Sequence, residues 1–157
     1  MQEDQIDISI KALACDYKKR LLAAKAAFPK DPMAAGRKAQ ADWITDVKDR
    51  GGTAIGEEPR TGVDGAGGGM TRFDVVFNLN GTDIYMEVQT RGYNSGHKPV
   101  QKTGQVIGFA HVSAGAGVPA RYYRIDGDPQ RIYRWSRRAA QRSLLTADYE
   151  PQLTMDY

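Results

Sequence analysis

The sequence predicts a single α/β domain in which helices flank a mixed central sheet. Three observations predict it: two amphipathic helical stretches in the first 50 residues, a strand–turn–strand signal around Asn80-Gly81, and a helix–strand alternation after residue 100. A length of 157 residues is one domain's worth. Hydrophobic residues at 41% and charged residues at 26% are near average for a globular chain, which excludes a disordered tail, a collagen and a membrane channel. No window approaches the roughly 18 apolar residues of a membrane span. The opening Met1-Gln2-Glu3-Asp4-Gln5 is polar and acidic, the opposite of a signal peptide. A cytoplasmic protein with no membrane partner is expected.

The elements follow in order. Ser9 is a candidate cap for a first helix, with Ile10, Leu13, Ala14, Tyr17, Leu21 and Leu22 at helical spacing. Phe28-Pro29-Lys30 stops it, so residues 1–30 form an N-terminal helical segment. Asp31 is an N-cap with Pro32 at the first helical position, a strong start signal. That second helix runs through Trp43, Ile44 and Val47 to Gly51-Gly52. Thr53-Ala54-Ile55 is a short strand candidate, and residues 56–71 form a glycine-rich flap that no Gly-Lys-Ser/Thr completes as a phosphate loop.

Residues 72–79 and 82–91 are strand-like runs joined by Asn80-Gly81, the dipeptide of two-residue type I′ hairpins. Such a turn fixes the register: Leu79 opposite Thr82, Phe77 opposite Ile84, Val75 opposite Met86 and Phe73 opposite Val88. The apolar members of these pairs share one face. The same register sets Asp74 opposite Glu87, with Cβ atoms about 4.5–5.5 Å apart, where like charges destabilise a sheet. A cation between them is therefore expected. It is either a divalent metal, since Mg²⁺ takes one or two carboxylates plus water and phosphate oxygens, or the guanidinium groups of Arg72 and Arg91 on a solvated face. The hairpin alone favours neither.

A helix over 101–110, a strand over 121–125, a returning strand over 131–135 and a short helix capped by Ser136 are expected next, with a loose polar tail from Ala147. The net charge is only +3, but residues 121–142 carry seven arginines against Asp126 and Asp128. Tyr122, Tyr123, Tyr133 and Trp135 lie among those arginines, where they either stack on bases or fill the core. Cys15, the single cysteine, excludes a disulfide framework and is expected to be a buried structural thiol. His97 and His111 have no partner at metal-ligand spacing.

From Gly36 to Trp135 the order of helix, strand, hairpin, helix and strand resembles the core of the restriction-endonuclease-like superfamily, with its PD-(D/E)-x-K motif. It is most similar there to the small Holliday-junction resolvases. Gly36 through Gly52 matches the family's glycine, glutamate-bearing helix and closing glycine; Phe73-Asp74-Val75-Val76 matches its Pro-Asp strand; Met86-Glu87-Val88-Gln89 matches its Glu-x-Lys strand. Two positions depart: Gln40 holds the helix glutamate's place, with Asp42 nearby, and Gln89 holds the lysine's.

The resemblance implies a restriction-endonuclease-like core over 31–135, with a C-terminal helix and tail over 136–157. It further implies a metal-dependent DNA endonuclease or resolvase, with duplex or branched DNA as partner, and a homodimer. In that reading Asp74 and Glu87 bind Mg²⁺ or Mn²⁺, Gln89 positions water, and Gln40 or Asp42 completes the site. Arg72, Arg91, Lys98, Lys102, Arg131, Arg134 and Arg138 are the expected nucleic-acid contacts. Two rivals stand beside it: an inactive nuclease-fold protein that binds nucleic acid or a protein partner, favoured by Gln40 and Gln89, and an interaction protein that touches no nucleic acid.

Overall fold

A computed structural model of the chain describes residues 3–50, 54–56, 73–89, 103–115, 117–127 and 129–157. The first helix, α1 (Gln5–Ala27), starts four residues ahead of Ser9. Asp4 is its N-cap, and Asp4 and Asp7 form a reciprocal capping box, each carboxylate accepting the other's backbone N–H. Ser9 instead donates its hydroxyl to the Gln5 carbonyl inside the helix. The helix buries Ile10, Ala14, Tyr17 and Leu21 as the spacing predicts, whereas Leu22 is exposed and Cys15 is half-buried. Helix α2 (Pro32–Arg50) begins where Asp31-Pro32 predicts, with the Asp31 carboxylate accepting the Ala34 N–H at 3.3 Å. The expected Gly51-Gly52 cap lies outside the described residues.

Trp43 of α2 donates its indole N–H to the Leu13 carbonyl of α1 at 2.9 Å and packs 5.1 Å from the Tyr17 ring. The two helices therefore form an antiparallel pair that lies as one layer on the sheet.

Among the described residues six strands form one mixed sheet, paired in chain order: β1 (Ala54–Gly56), β2 (Val75–Leu79), β3 (Thr82–Gln89), β4 (Ala120–Gly127), β5 (Gln130–Ser136) and β6 (Leu153–Asp156). All neighbours are antiparallel except β3 and β4, which run parallel across the crossover helix α3 (Thr103–Ser113). Helices α1 and α2 cover one face over Val75, Phe77, Ile84, Met86, Val88, Tyr123, Ile125 and Ile132. Helices α3 and α4 (Arg137–Thr146) cover the other, where Phe73, Val76, Tyr85, Tyr122 and Trp135 meet Val106, Phe109 and Ala140. Both faces are buried, so the alternation in the hairpin sorts residues between two cores.

Two further expectations are overturned. Phe73 is on the α3/α4 face, not with Val75 and Phe77, because the ladder stops at Val75 and the chain bends at Asp74. The tail after Ala147 is not loose: β6 pairs with β5 from Arg131↔Asp156 to Arg134↔Leu153 and buries Met155. Its approach is fixed by side-chain and backbone hydrogen bonds that a polar composition hides. Trp135 donates to the Tyr149 carbonyl, Gln152 accepts the Ser136 N–H, and the Gln152 N–H bonds the Arg134 carbonyl. The helix capped by Ser136 forms as predicted, with the Ser136 hydroxyl accepting the Ala139 N–H at 3.1 Å.

The N-terminus of α1 is held to the sheet by a buried charge cluster. Asp7 is 0% exposed. Its carboxylate accepts from the Arg134 guanidinium, from the Tyr123 hydroxyl at 2.5 Å and from Arg121 at 3.3 Å. Arg121 also bonds Asp4 through both terminal nitrogens. Two carboxylates thus balance two guanidiniums, which makes burial tolerable. The Arg121 hydrogen bond holds the Asp4 carboxyl well below its ordinary value of 3.8. Burial, and then the bond to Asp7, push the Tyr123 phenol up.

Removing Asp7 strands Arg134 without a counter-charge in the core. Asp7→Ala should lower the unfolding free energy by about 3–5 kcal/mol in urea titration. Asp4 contributes stability that is complete above its unfolded value and lost as pH falls through its depressed folded value. The wild-type melting temperature should therefore fall on acidification below about pH 4. Asp4→Asn should be less stable at neutral pH and show a shallower acid loss in the same scan.

Candidate functional site

The site is built outward from the hairpin turn. Asn80 and Gly81 have φ of 51° and 85°, the left-handed pair a type I′ turn requires. Asn78 seals it, accepting the Gly81 N–H at 3.1 Å and donating to Asp83 at 2.9 Å. The predicted register holds from Leu79↔Thr82 to Val75↔Met86. Beyond Val75 the ladder is replaced by a side chain: the Asp74 carboxylate accepts the Val88 N–H at 2.8 Å. Asp74 is thereby tied to the end of β3 beside Glu87, without being its ladder partner.

Glu87 is 7% exposed. The Gln89 amide donates to its Oε1 at 3.0 Å. On the neighbouring parallel strand Arg124 is in register with Glu87, and Asp126 with Gln89. Arg124 is buried, bonds both oxygens of Asp126 at 2.8 and 3.1 Å, and lies 5.7 Å over the Tyr133 ring. Tyr122, on the same face, donates to the Gln105 side chain of α3 at 2.6 Å. Burial raises the Tyr122 phenol well above its ordinary value, and the Glu87 charge adds to the rise. A polar layer, neutral phenol included, therefore backs Glu87 from β4. Arg124 is a cation beside the carboxylates that the sequence reading missed. The signal was the parallel register of β3 and β4, which no local pattern encodes.

Asp74, Glu87, Val88 and Gln89 line one wall of a cavity of about 680 Å³. Gln40 of α2 lines the same cavity, so four of the predicted site residues border one space. Lys25, Pro32, Met33, Gly36 and Arg37 line it as well; none of Lys25, Met33 and Arg37 was read as a site residue. Gly36 precedes Gln40 by one helical turn and so faces the same way. Asp42 is not in the cavity: it is exposed, pairs with Lys38 at 3.0 Å and lines a separate groove between α1 and α2.

The expected nucleic-acid contacts divide. Arg72, Arg91, Lys98 and Lys102 lie outside the described residues, as do His97 and the 57–71 part of the expected flap. Arg131 and Arg138 are exposed, Arg131 facing Asp156 at 3.6 Å. Arg134 is 3% exposed and committed to Asp7, so it does not reach a phosphate backbone. Tyr122, Tyr123, Tyr133 and Trp135 are buried core residues and present no face for bases. His111 is exposed in the last turn of α3.

Among the described residues no group of three or more His, Cys, Asp or Glu side chains is placed to hold a metal ion. Among the described residues that line the cavity, two carry carboxylates and two carry carboxamides. That set suits Mg²⁺, which is commonly held by one or two carboxylates with water and substrate filling its octahedron. It does not suit a structural Zn²⁺, which prefers four nitrogen or sulfur ligands.

No protein-family model matches the chain, and no curated protein matches it. A solved structure described as a crystal structure of SSO0001 aligns over 89% of this chain and 77% of its own length, with 14% identity and a TM-score of 0.34. A likeness of that size assigns neither fold family nor activity. No described helix is long and apolar enough to cross a membrane.

The Asp74–Val88 bond makes a structural prediction separate from any chemistry. Asp74→Ala leaves a buried backbone N–H without its acceptor and should cost about 1–3 kcal/mol. Asp74→Asn keeps an acceptor oxygen and should unfold in urea close to wild type.

Proposed function

We propose that the protein is a metal-dependent DNA phosphodiesterase built on a restriction-endonuclease-like core. The observation that carries this reading is the meeting of Gln40, Asp74, Glu87 and Gln89 in one cavity. These residues come from α2, from the bend before β2 and from β3. The order α2, three antiparallel strands, α3 and a parallel fourth strand supports the same core.

Hydrolysis forms a bond from a water oxygen to phosphorus as that water gives up a proton to solvent, and breaks one phosphorus–oxygen ester bond as the departing alkoxide takes a proton from solvent. What a bound Mg²⁺ or Mn²⁺ supplies is Lewis acidity toward the phosphate and the water. Asp74 and Glu87 would hold that ion. The Val88 N–H orients the first carboxylate and the Gln89 amide orients the second, so both are set before substrate arrives. Gln40 offers a further amide from the facing helix. The exposed arginines Arg131 and Arg138 are available to the nucleic-acid backbone. A homodimer belongs to this reading, because a branched substrate presents two strands to cut.

The second reading is a nuclease-fold protein that binds DNA without cutting it. It is favoured by Gln89, whose neutral amide engages Glu87 where a cation would assist the attack. Labelled duplex, single-stranded and four-way-junction DNA incubated with Mg²⁺, Mn²⁺ or chelator separates the two. Cleavage should require metal and fall about 10²–10³-fold in Asp74→Asn and Glu87→Gln, reflecting several kcal/mol of lost charge stabilisation. Metal-independent binding without cleavage would establish the second reading instead. Absence of both would remove nucleic acid from the account.

A further inference from the structure

We infer that the turn between α1 and α2 is a platform for unpaired DNA bases, with the Phe28 ring as its stacking surface. The inference rests on the proposed action on DNA and names the form of substrate: a strand with unpaired bases beside the carboxylate cavity. The aromatic residues of the basic stretch, Tyr122, Tyr123, Tyr133 and Trp135, are buried. Phe28 is 62% exposed and is the most exposed aromatic ring among the described residues.

A tight turn displays that ring. Phe28 closes α1, its N–H bonding the Ala24 carbonyl at 3.1 Å. Its carbonyl accepts the Asp31 N–H at 3.2 Å across Pro29 and Lys30, with proline at the position such turns favour. Stopping the helix needs the proline, not an aromatic ring ahead of it. The ring is left for contact outside the chain, on a backbone already fixed before that contact is made.

Position and charge select the partner. The turn stands between two depressions. Pro32 and Met33 line the cavity that Asp74 and Glu87 border, and Phe28 lines the groove between α1 and α2 with Ala24, Ala35 and Ala39. Met33 is itself 68% exposed. Lys25, Lys30, Arg37 and Lys38 are exposed there against Asp31 and Asp42. Both carboxylates are engaged, Asp31 by the Ala34 N–H and Asp42 by Lys38. The surplus is positive, so an anionic partner fits. A second copy docked through this turn about a two-fold axis would set cation against cation. A nucleic-acid strand answers both features, with phosphates for the cations and base faces for the ring.

The test is binding in chelator to blunt duplex DNA, to the same duplex with a single-stranded extension, and to that single strand alone. The last two carry 2-aminopurine in the unpaired part. Wild type should prefer them to blunt duplex and quench the 2-aminopurine. Phe28→Ala should weaken their binding about 5–100-fold, the loss of one stacked base, and abolish the quench while leaving blunt duplex unchanged. Phe28→Trp should restore both. The triple variant Lys25→Gln/Lys30→Gln/Arg37→Gln should bind the single strand more weakly, with a salt slope shallower by about two. The substituted positions are exposed, and thermal melting checks that each variant folds.

Equal binding of the unpaired DNAs by wild type and Phe28→Ala overturns the inference. So does the absence of binding in chelator, since no part of this surface needs a metal. Neither result touches the phosphodiesterase reading, which metal-dependent cleavage decides by itself. A concentration-dependent dimer, or capture by phosphatidylserine vesicles, that Phe28→Ala abolishes while DNA binding stays unchanged overturns it in favour of another occupant.

Discussion

The two-residue turn at Asn80-Gly81 is the constraint on which the placement of the site depends. Two left-handed residues in succession leave the flanking strands a single register, and a slip of one would move every side chain to the opposite face. Because both faces of this sheet are covered by helices, such a slip would exchange the two cores rather than expose one. The register sends Val75, Phe77, Ile84, Met86 and Val88 toward α1 and α2, and Tyr85 and Glu87 toward the other side. Asp74 then closes the ladder with its side chain on the Val88 N–H. One carboxylate ends the strand pair and the other sits in its last turn of pleat.

Legibility followed the range of the interactions. The hairpin, its register, the Asp31-Pro32 helix start and the Ser136 cap are set by neighbours a few residues apart, and all were readable. So was the grouping of Gln40 with Asp74, Glu87 and Gln89, through a spacing that a resemblance supplied. What escaped depends on distant partners. Arg134 looks like a surface cation in a basic stretch, and only Asp7 at the other end of the chain makes it a buried one. The aromatic residues of the same stretch alternate with arginines in a way that fits base stacking or a two-faced core, and the second core decided it. The last strand has a polar composition, because β6 lies at the sheet edge and buries only Met155 completely enough to leave a mark.

Charge is distributed across the molecule by a simple rule of compensation. Where guanidinium groups enter the interior, each meets a carboxylate: Arg134 meets Asp7, and Arg124 meets Asp126.

The Asp7 cluster also bears on how the chain is made. Asp7 and Arg134 are 127 residues apart. A ribosome adding about 5–20 residues per second leaves the aspartate waiting on the order of 10 s for its partner. Throughout that interval α1 has its own backbone bonds, the pairing with α2 and then the β2–β3 hairpin to organise it, but not its charged anchor. The first helix to emerge is thus among the last to be fastened, and its anchorage reports that the β4–β5 hairpin has formed. Contacts of such long sequence separation are the ones that slow folding, so the closing of this loop, more than any helix, is expected to set the pace at which the native state is reached.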